Sequence, residues 1–236
     1  MRTVLSIAKR QLETYFSSPI TYVVTAGMLA ILGYSFSIIL LFSRQASLRP
    51  LFSQLSLIFV IVAPLLTMHL ISDEVRSGTI ELLLTSPVRE HDIVLGKFLA
   101  AFGVFALMLT PTAYYALVLR VFGNPDWGPI ASLYTGVALL GGALISLGAL
   151  ASALTSHQVL AAALGAGFIL VLWFLPAAAA FVAEPFKSIL TYAGLSSHFL
   201  NFTKGVIDTS DVIFYLSIIA GALFLATHAL RARRWR

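Results

Sequence analysis

Cysteine is absent from the 236 residues. That excludes a disulfide framework and any thiolate metal site. Charge is scarce: charged residues make up 11% of the chain and hydrophobic residues 59%, against about 25% charged in an ordinary soluble domain. Asp, Glu, Lys and Arg are missing altogether from six apolar runs: Ile20 to Phe42, Phe52 to Ile71, Phe98 to Leu119, Ala131 to Leu154, Val159 to Val182 and Val212 to Leu230. A membrane-spanning helix needs about 20 such residues. The runs hold only His69 and His228 as titratable histidines, both near run ends. A proton- or sodium-coupled mechanism, which requires ionisable groups at membrane depth, is therefore not expected. No G-x-S-x-G, no buried Asp and no mid-depth His is present to build an intramembrane protease. The phosphate-cradling G-x-x-x-x-G-K-[ST] is also missing, since Gly96-Lys97 is followed by Phe98 and preceded by no matching glycine. The chain is not expected to be an enzyme, and no catalytic, cofactor-binding or metal-binding residue is assigned. His91, His157 and His198 lie outside the runs, and a lone interfacial histidine reads as a polar cap.

The residues that are present describe an all-α polytopic membrane protein with six transmembrane helices. The net charge is +5, and the densest basic group is Arg231-Ala232-Arg233-Arg234-Trp235-Arg236. Behind an apolar run this reads as a membrane-surface anchor contacting lipids, not as a nucleic-acid site. With the N-terminus inside, ten Lys and Arg fall in inner segments and five (Arg44, Arg49, Arg120, Lys187, Lys204) in outer ones. Both termini are thus expected in the cytoplasm. The first apolar run is too long for a leader and lacks a small-x-small cleavage pattern, so it is expected to be a span. Ahead of it, residues 1–19 predict an interfacial amphipathic helix: Val4, Leu5, Ala8, Leu12, Tyr15 and Phe16 share one face and only Ile7 is misplaced. Ser17-Ser18-Pro19 ends it.

Pro64, Pro111 and Pro176 fall inside spans and can kink them. Gly136, Gly141, Gly142, Ser146 and Gly148 in the fourth span, and Ala161, Ala162, Ala163, Gly165 and Gly167 in the fifth, let helices approach closely. Such a pair can be simple tight packing or a pair that slides. Between the second and third spans, residues 72–97 form a charged, punctuated insert. Ser77-Gly78-Thr79 offers cap chemistry, Glu81 suits a first helical turn, and Ile80, Leu83 and Leu84 form an apolar edge. Ser86-Pro87 suits the start of the next helix, with Lys97 at the membrane boundary. A helix this short needs docking to persist.

At this insert the chain resembles the membrane subunits of type-2 ABC exporters. Their E-x-x-x-G-T-[LI]-E-x-L-x-x-x-P run stands here as Glu74, Gly78, Thr79, Ile80, Glu81, Leu83 and Pro87. Before the last span, Ser196-Ser197-His198-Phe199-Leu200-Asn201-Phe202-Thr203-Lys204-Gly205-Val206-Ile207-Asp208 resembles the gliding-motility and nitrous-oxide-reductase-maturation type of permease. The resemblance covers 1–236 as a single transmembrane domain and implies a permease subunit in a bacterial or archaeal cytoplasmic membrane. It implies two copies of a separate ABC ATPase subunit, which uses ATP-Mg, and a second permease half. It makes the insert a cytoplasmic coupling helix carrying Glu74, Arg76, Gly78, Thr79, Glu81, Leu83 and Pro87. It makes 183–211 an outer re-entrant gate with His198, Phe199, Phe202 and Gly205. Phe199 and Phe202 can equally form an aromatic interfacial belt. The competing readings are a non-transporting membrane scaffold or assembly factor, and an ion-coupled transporter.

Overall fold

The structure is a computed structural model that describes residues 2–43, 47–79, 89–122 and 125–233. Among these, every regular element is helical: α1 (Arg2–Ser17), α2 (Pro19–Ser43), α3 (Arg49–Thr67), α4 (Ser72–Arg76), α5 (Glu90–Leu109), α6 (Ala113–Phe122), α7 (Trp127–Leu154), α8 (Gln158–Ala178), α9 (Phe186–Ala193), α10 (Leu195–Thr203) and α11 (Thr209–Arg233). Six helical stretches are long and apolar enough to cross a membrane. The chain is an all-α, multi-pass membrane protein.

The helices outrun the apolar runs where a polar residue can continue or cap the backbone spiral. Thus α5 starts at Glu90 although the apolar run begins at Phe98. Glu90 and Asp92 occupy its first turn, where the helix dipole favours anions. Helix α7 starts at Trp127 because the Asp126 carboxylate accepts the Gly128 N–H at 3.1 Å. The reverse happens at Pro111. It has no N–H to donate, and the third span breaks there into α5, a 3₁₀ turn at Thr110–Thr112, and α6. The Thr112 hydroxyl, buried in the bundle, donates to the Leu109 carbonyl at 2.6 Å and meets the Tyr134 hydroxyl at 3.1 Å. The freed polar groups are thereby satisfied internally, as a lipid surround requires.

α7 is the centre of the bundle. It packs on α3, α5, α8, α10 and α11, and 78% of its apolar window is buried, against 17% for α2. Its small residues explain this position. A Cβ on Gly136 would stand 2.5 Å from Phe202, and Cβ atoms on Gly141 and Gly148 would collide harder still with Phe105 and Thr67. Each glycine is a notch filled by one neighbour's side chain. Where lipid tails compete equally for apolar surface, such close van der Waals fit is what holds helices together.

α1 packs lengthwise along the first half of α5, on a face turned slightly from the one its periodicity predicts. Ile7 turns inward, into the space that glycine leaves at position 96: a Cβ there would lie 2.9 Å from the Ile7 side chain. Ala8 and Tyr15 are buried beside it, while Leu5 is 66% and Phe16 48% exposed. The inward face is therefore rotated toward Ile7 and Gln11, and Leu5 and Phe16 point away from the protein.

Candidate functional site

Two polar clusters stand out against the apolar bundle, one at each end. The first surrounds α4. The chain leaves α3 through a turn at Met68–Leu70, and the first amides of α4 lack helical partners. Ser152 of α7 supplies them. Its hydroxyl oxygen accepts from the Ile71 and Ser72 amides at 3.0 and 3.1 Å, and its proton goes to the Met68 carbonyl at 3.2 Å. One hydroxyl, with one donor and two acceptor sites, is fully used. On the next residue, Asp73 Oδ2 lies 3.1 Å from His69 Nδ1, and Asp73 Oδ1 accepts from Gln158 Nε2 at the start of α8.

Glu74 and Lys97 complete the cluster. Lys97 Nζ lies 2.9 Å from Glu74 Oε1, and the lysine side chain is only 3% exposed. The same ammonium donates to the Leu70 carbonyl and to Gln11 Oε1 of α1, the latter at 3.3 Å. All three of its protons are therefore engaged. A buried charge without a partner costs several kcal/mol, so this lysine ties α1, the α3–α4 turn, α4 and α5 into one node. Glu74 Oε2 is buried there without a hydrogen-bond partner. At the other end of α4, Gly78 adopts φ +71°, in the left-handed region that stops a helix, and the Thr79 hydroxyl meets Ser77 Oγ at 2.9 Å.

The structure thus divides the residues that the sequence groups in the insert. Glu74 is turned into the bundle toward Lys97 and does not belong to an outward surface, because the buried ammonium needs a counter-ion. Arg76, Gly78 and Thr79 are exposed. Ile80, Glu81, Leu83, Leu84, Ser86 and Pro87 lie outside the described residues. Gln11, Ser152 and Gln158 carry the node with Lys97 and are not singled out by the sequence, which marks Lys97 only as a membrane boundary. The available signal is Lys97 itself, a cation flanked by Ile93, Val94 and Phe98, since buried lysines are found paired.

The second cluster lies at the opposite end, on α10. His198, Phe199 and Phe202 are all buried on its inner side. His198 Nδ1 sits 2.5 Å from Asp211 Oδ1 of α11, and Nε2 sits 2.7 Å from the Tyr192 carbonyl oxygen of α9. Asn201 Nδ2 donates to the other Asp211 oxygen at 2.9 Å. Phe214 stacks on the imidazole with centroids 3.9 Å apart. Three hydroxyls fasten α10 to its neighbours: Ser132 donates to Phe202 O at 3.1 Å and Tyr215 to Leu195 O at 2.8 Å, while Ser196 of α10 donates to Trp173 O of α8 at 2.8 Å. Gly205, at φ +85°, ends the segment against Pro129, where a Cβ would stand 3.0 Å from the ring. Phe199 and Phe202 are packed inside the bundle and form no interfacial belt. Val206 falls beyond the end of α10 and is 54% exposed. Asp208 caps the last span by accepting the Ser210 N–H at 2.9 Å. Asp211, three residues on, faces His198 instead and is only 2% exposed, so the chain does hold a buried aspartate, contrary to the expectation from the sequence; its partner His198 and the Asn201 amide satisfy it there.

The arrangement contains no nucleophile–base pair among the described residues. It has two braced polar junctions, one at each end of a lipid-facing bundle, joined through α7, which supplies Ser152 to one and Ser132 to the other, and α8, which supplies Gln158 and the Trp173 carbonyl. Comparison with curated proteins finds no match. A family model described as ABC-2 family transporter protein matches residues 3–227, nearly the full length, and the chain belongs to that family.

Proposed function

We propose that the chain is the permease subunit of an ATP-driven exporter, and that movement of a separate ABC ATPase is converted here into a change of access across the membrane. The observation that carries the reading is the Lys97 node. Residues 80–88 continue from α4, and α4 is tied to the spans by Glu74–Lys97, Asp73–Gln158 and the Ser152 bridge. A push that arrives at α4 reaches α1, α5, α7 and α8 through these contacts. Glu81, Leu83 and Pro87 are the residues we assign to the ATPase contact, with Arg76, Gly78 and Thr79 at its root.

The partner set in this reading is two ATPase copies, which use ATP-Mg, and a second permease half. The chain itself hydrolyses nothing and holds no cofactor. The α4 end, with α1 and the C-terminal turn of α11, faces the cytoplasm of a bacterial or archaeal cell, and α1 lies in the membrane interface with Leu5 and Phe16 toward lipid. His198, Phe199, Phe202 and Gly205 form the outer gate. The run from Ser196 to Asp208 supports the gliding-motility and nitrous-oxide-reductase-maturation subtype. A Glu81→Lys variant tests the reading. It is expected to insert and express normally, to co-purify less ATPase and to lose transport. Full partner binding with full transport would reduce the segment to a connector and favour a membrane scaffold.

A further inference from the structure

A groove of about 430 Å³ runs between α5 and α11 at the α4 end of the bundle. Its α11 wall is the stripe Ala220, Leu223, Phe224, Thr227, His228 and Arg231, whose spacing of three and four keeps it on one helix face. The chemistry changes along the stripe from alanine, leucine and phenylalanine to threonine, histidine and arginine. From Ala220 to Arg231 the helix rises about 16 Å at ~1.5 Å per residue. That matches one leaflet's share, about 15 Å, of a bilayer's hydrocarbon. Across the groove, Leu95 lines the apolar part and His91 the polar rim. The Phe224 ring packs edge-on to His228 with centroids 4.4 Å apart and holds that imidazole at the rim.

We infer that this groove binds an anionic phosphodiester lipid of the leaflet at the α4 end, with its phosphate at Arg231, His228 and His91 and one acyl chain along Phe224, Leu223 and Leu95. Three observations select this occupant. The cationic and N–H-bearing groups are confined to the rim. The apolar wall, Phe224 to Ala220, runs about 6 Å along the helix below them, and it is open sideways, with Phe224 63% and Leu95 37% exposed, so that a chain can enter from the bilayer. Glu90 also lines the rim, and Asp92 Oδ1 stands 3.5 Å from His91 Nε2. These carboxylates disfavour a dianionic phosphomonoester and suit a headgroup that carries hydroxyl donors, as phosphatidylglycerol does. The site stands whether or not the chain works with an ATPase.

Native mass spectrometry of the full chain in mild detergent tests the site, with dioleoyl-phosphatidylglycerol and dioleoyl-phosphatidylcholine titrated at equal concentration. The wild type is expected to retain phosphatidylglycerol through collisional activation that strips phosphatidylcholine. Arg231→Gln is expected to weaken retention about tenfold, the effect of losing one charge-assisted hydrogen bond. Arg231→Lys should keep most of it. Arg120→Gln removes a cation at the opposite end, where the guanidinium lies 5.9 Å from the Trp127 ring, and should change nothing. Equal retention of the two lipids, or equal loss in Arg231→Gln and Arg120→Gln, overturns the site. So does displacement of the lipid by soluble glycerophosphoglycerol at matched concentration, which would show that the apolar wall contributes nothing.

Discussion

Replacing Lys97 by methionine keeps the length of the side chain and removes its charge and its three donated hydrogen bonds. Gln11 can turn toward water, because it is only partly buried. The Leu70 carbonyl and the Glu74 carboxylate cannot do so fully. Breaking a buried ion pair by removing one member costs about 3–5 kcal/mol. Glu74 Oε2 is buried although the side chain as a whole is 26% exposed, so the expected loss is at least the lower limit, about 3 kcal/mol. For a chain of this size each kcal/mol lowers the melting temperature by about 2–4 °C, and a fall of roughly 10 °C in thermal unfolding follows. The double variant Glu74→Gln/Lys97→Met removes the orphaned charge and is expected to recover most of that loss, since buried pairs are often replaceable by neutral groups. The charge-reversed pair Glu74→Lys/Lys97→Glu restores a salt bridge on paper. It points a carboxylate at the Leu70 carbonyl and leaves that acceptor without a donor, so it should recover little. The assay is thermal unfolding of purified protein in one detergent, with the wild type and the three variants in parallel. A full rescue by charge reversal, or no loss in Lys97→Met, would refute the claim that three-way donation by this ammonium holds the node.

Tyr15 offers a pH test outside the spans. Its hydroxyl donates to the Leu66 carbonyl at 2.5 Å, and burial pushes its ionisation well above that of a free phenol. The folded chain keeps this proton where the unfolded chain loses it, so stability should fall above about pH 10 by ~1.4 kcal/mol per pH unit. Tyr15→Phe should flatten that slope in unfolding measured between neutral and alkaline pH. Gly136→Ala sets a methyl against the Phe202 ring and should destabilise by about 1–3 kcal/mol. Gly167→Ala, with open space at its Cβ, should leave the melting temperature unchanged, and equal behaviour of the two would count against the notch. Single cysteines at Arg76 and Lys187, in a chain that has none of its own, should be labelled by a membrane-impermeant thiol reagent from opposite sides.

The spans were legible because twenty apolar residues without charge have almost no other destination. Their ends were less so. The sequence marks where hydropathy stops, whereas Glu90 and Asp126 show that a helix stops where its amides run out of partners. Lys97 was read as a boundary marker because a cation at a span end looks the same whether it meets water or a carboxylate from another segment. On α1, Ile7 appeared as the single violation of an amphipathic face. It is the residue that sets how the helix docks, and the cause lies at Gly96, far away in the chain. His198 was visible only through resemblance. Nothing in its neighbours announces that Asp211, which looks like a helix cap, is its partner.

Three of the filled glycines of α7, Gly136, Gly141 and Gly148, carry a mechanical consequence. Phe202, Phe105 and Thr67 come from three different helices and enter α7 near one end, at mid-length and near the other. A translation of α10, α5 or α3 along the α7 axis by a single residue, about 1.5 Å, would lift its side chain out of a recess and drive it onto a neighbouring side chain. Axial shear is therefore blocked at three depths at once. Motion that leaves these contacts intact must be tilting of the whole assembly, or displacement of helices that do not key into α7. α2 is of that second kind: it packs chiefly on α1 and α3. Because α1 shares the Lys97 node and leads straight into α2 through Ser18, the element free to swing is covalently continuous with one held fast.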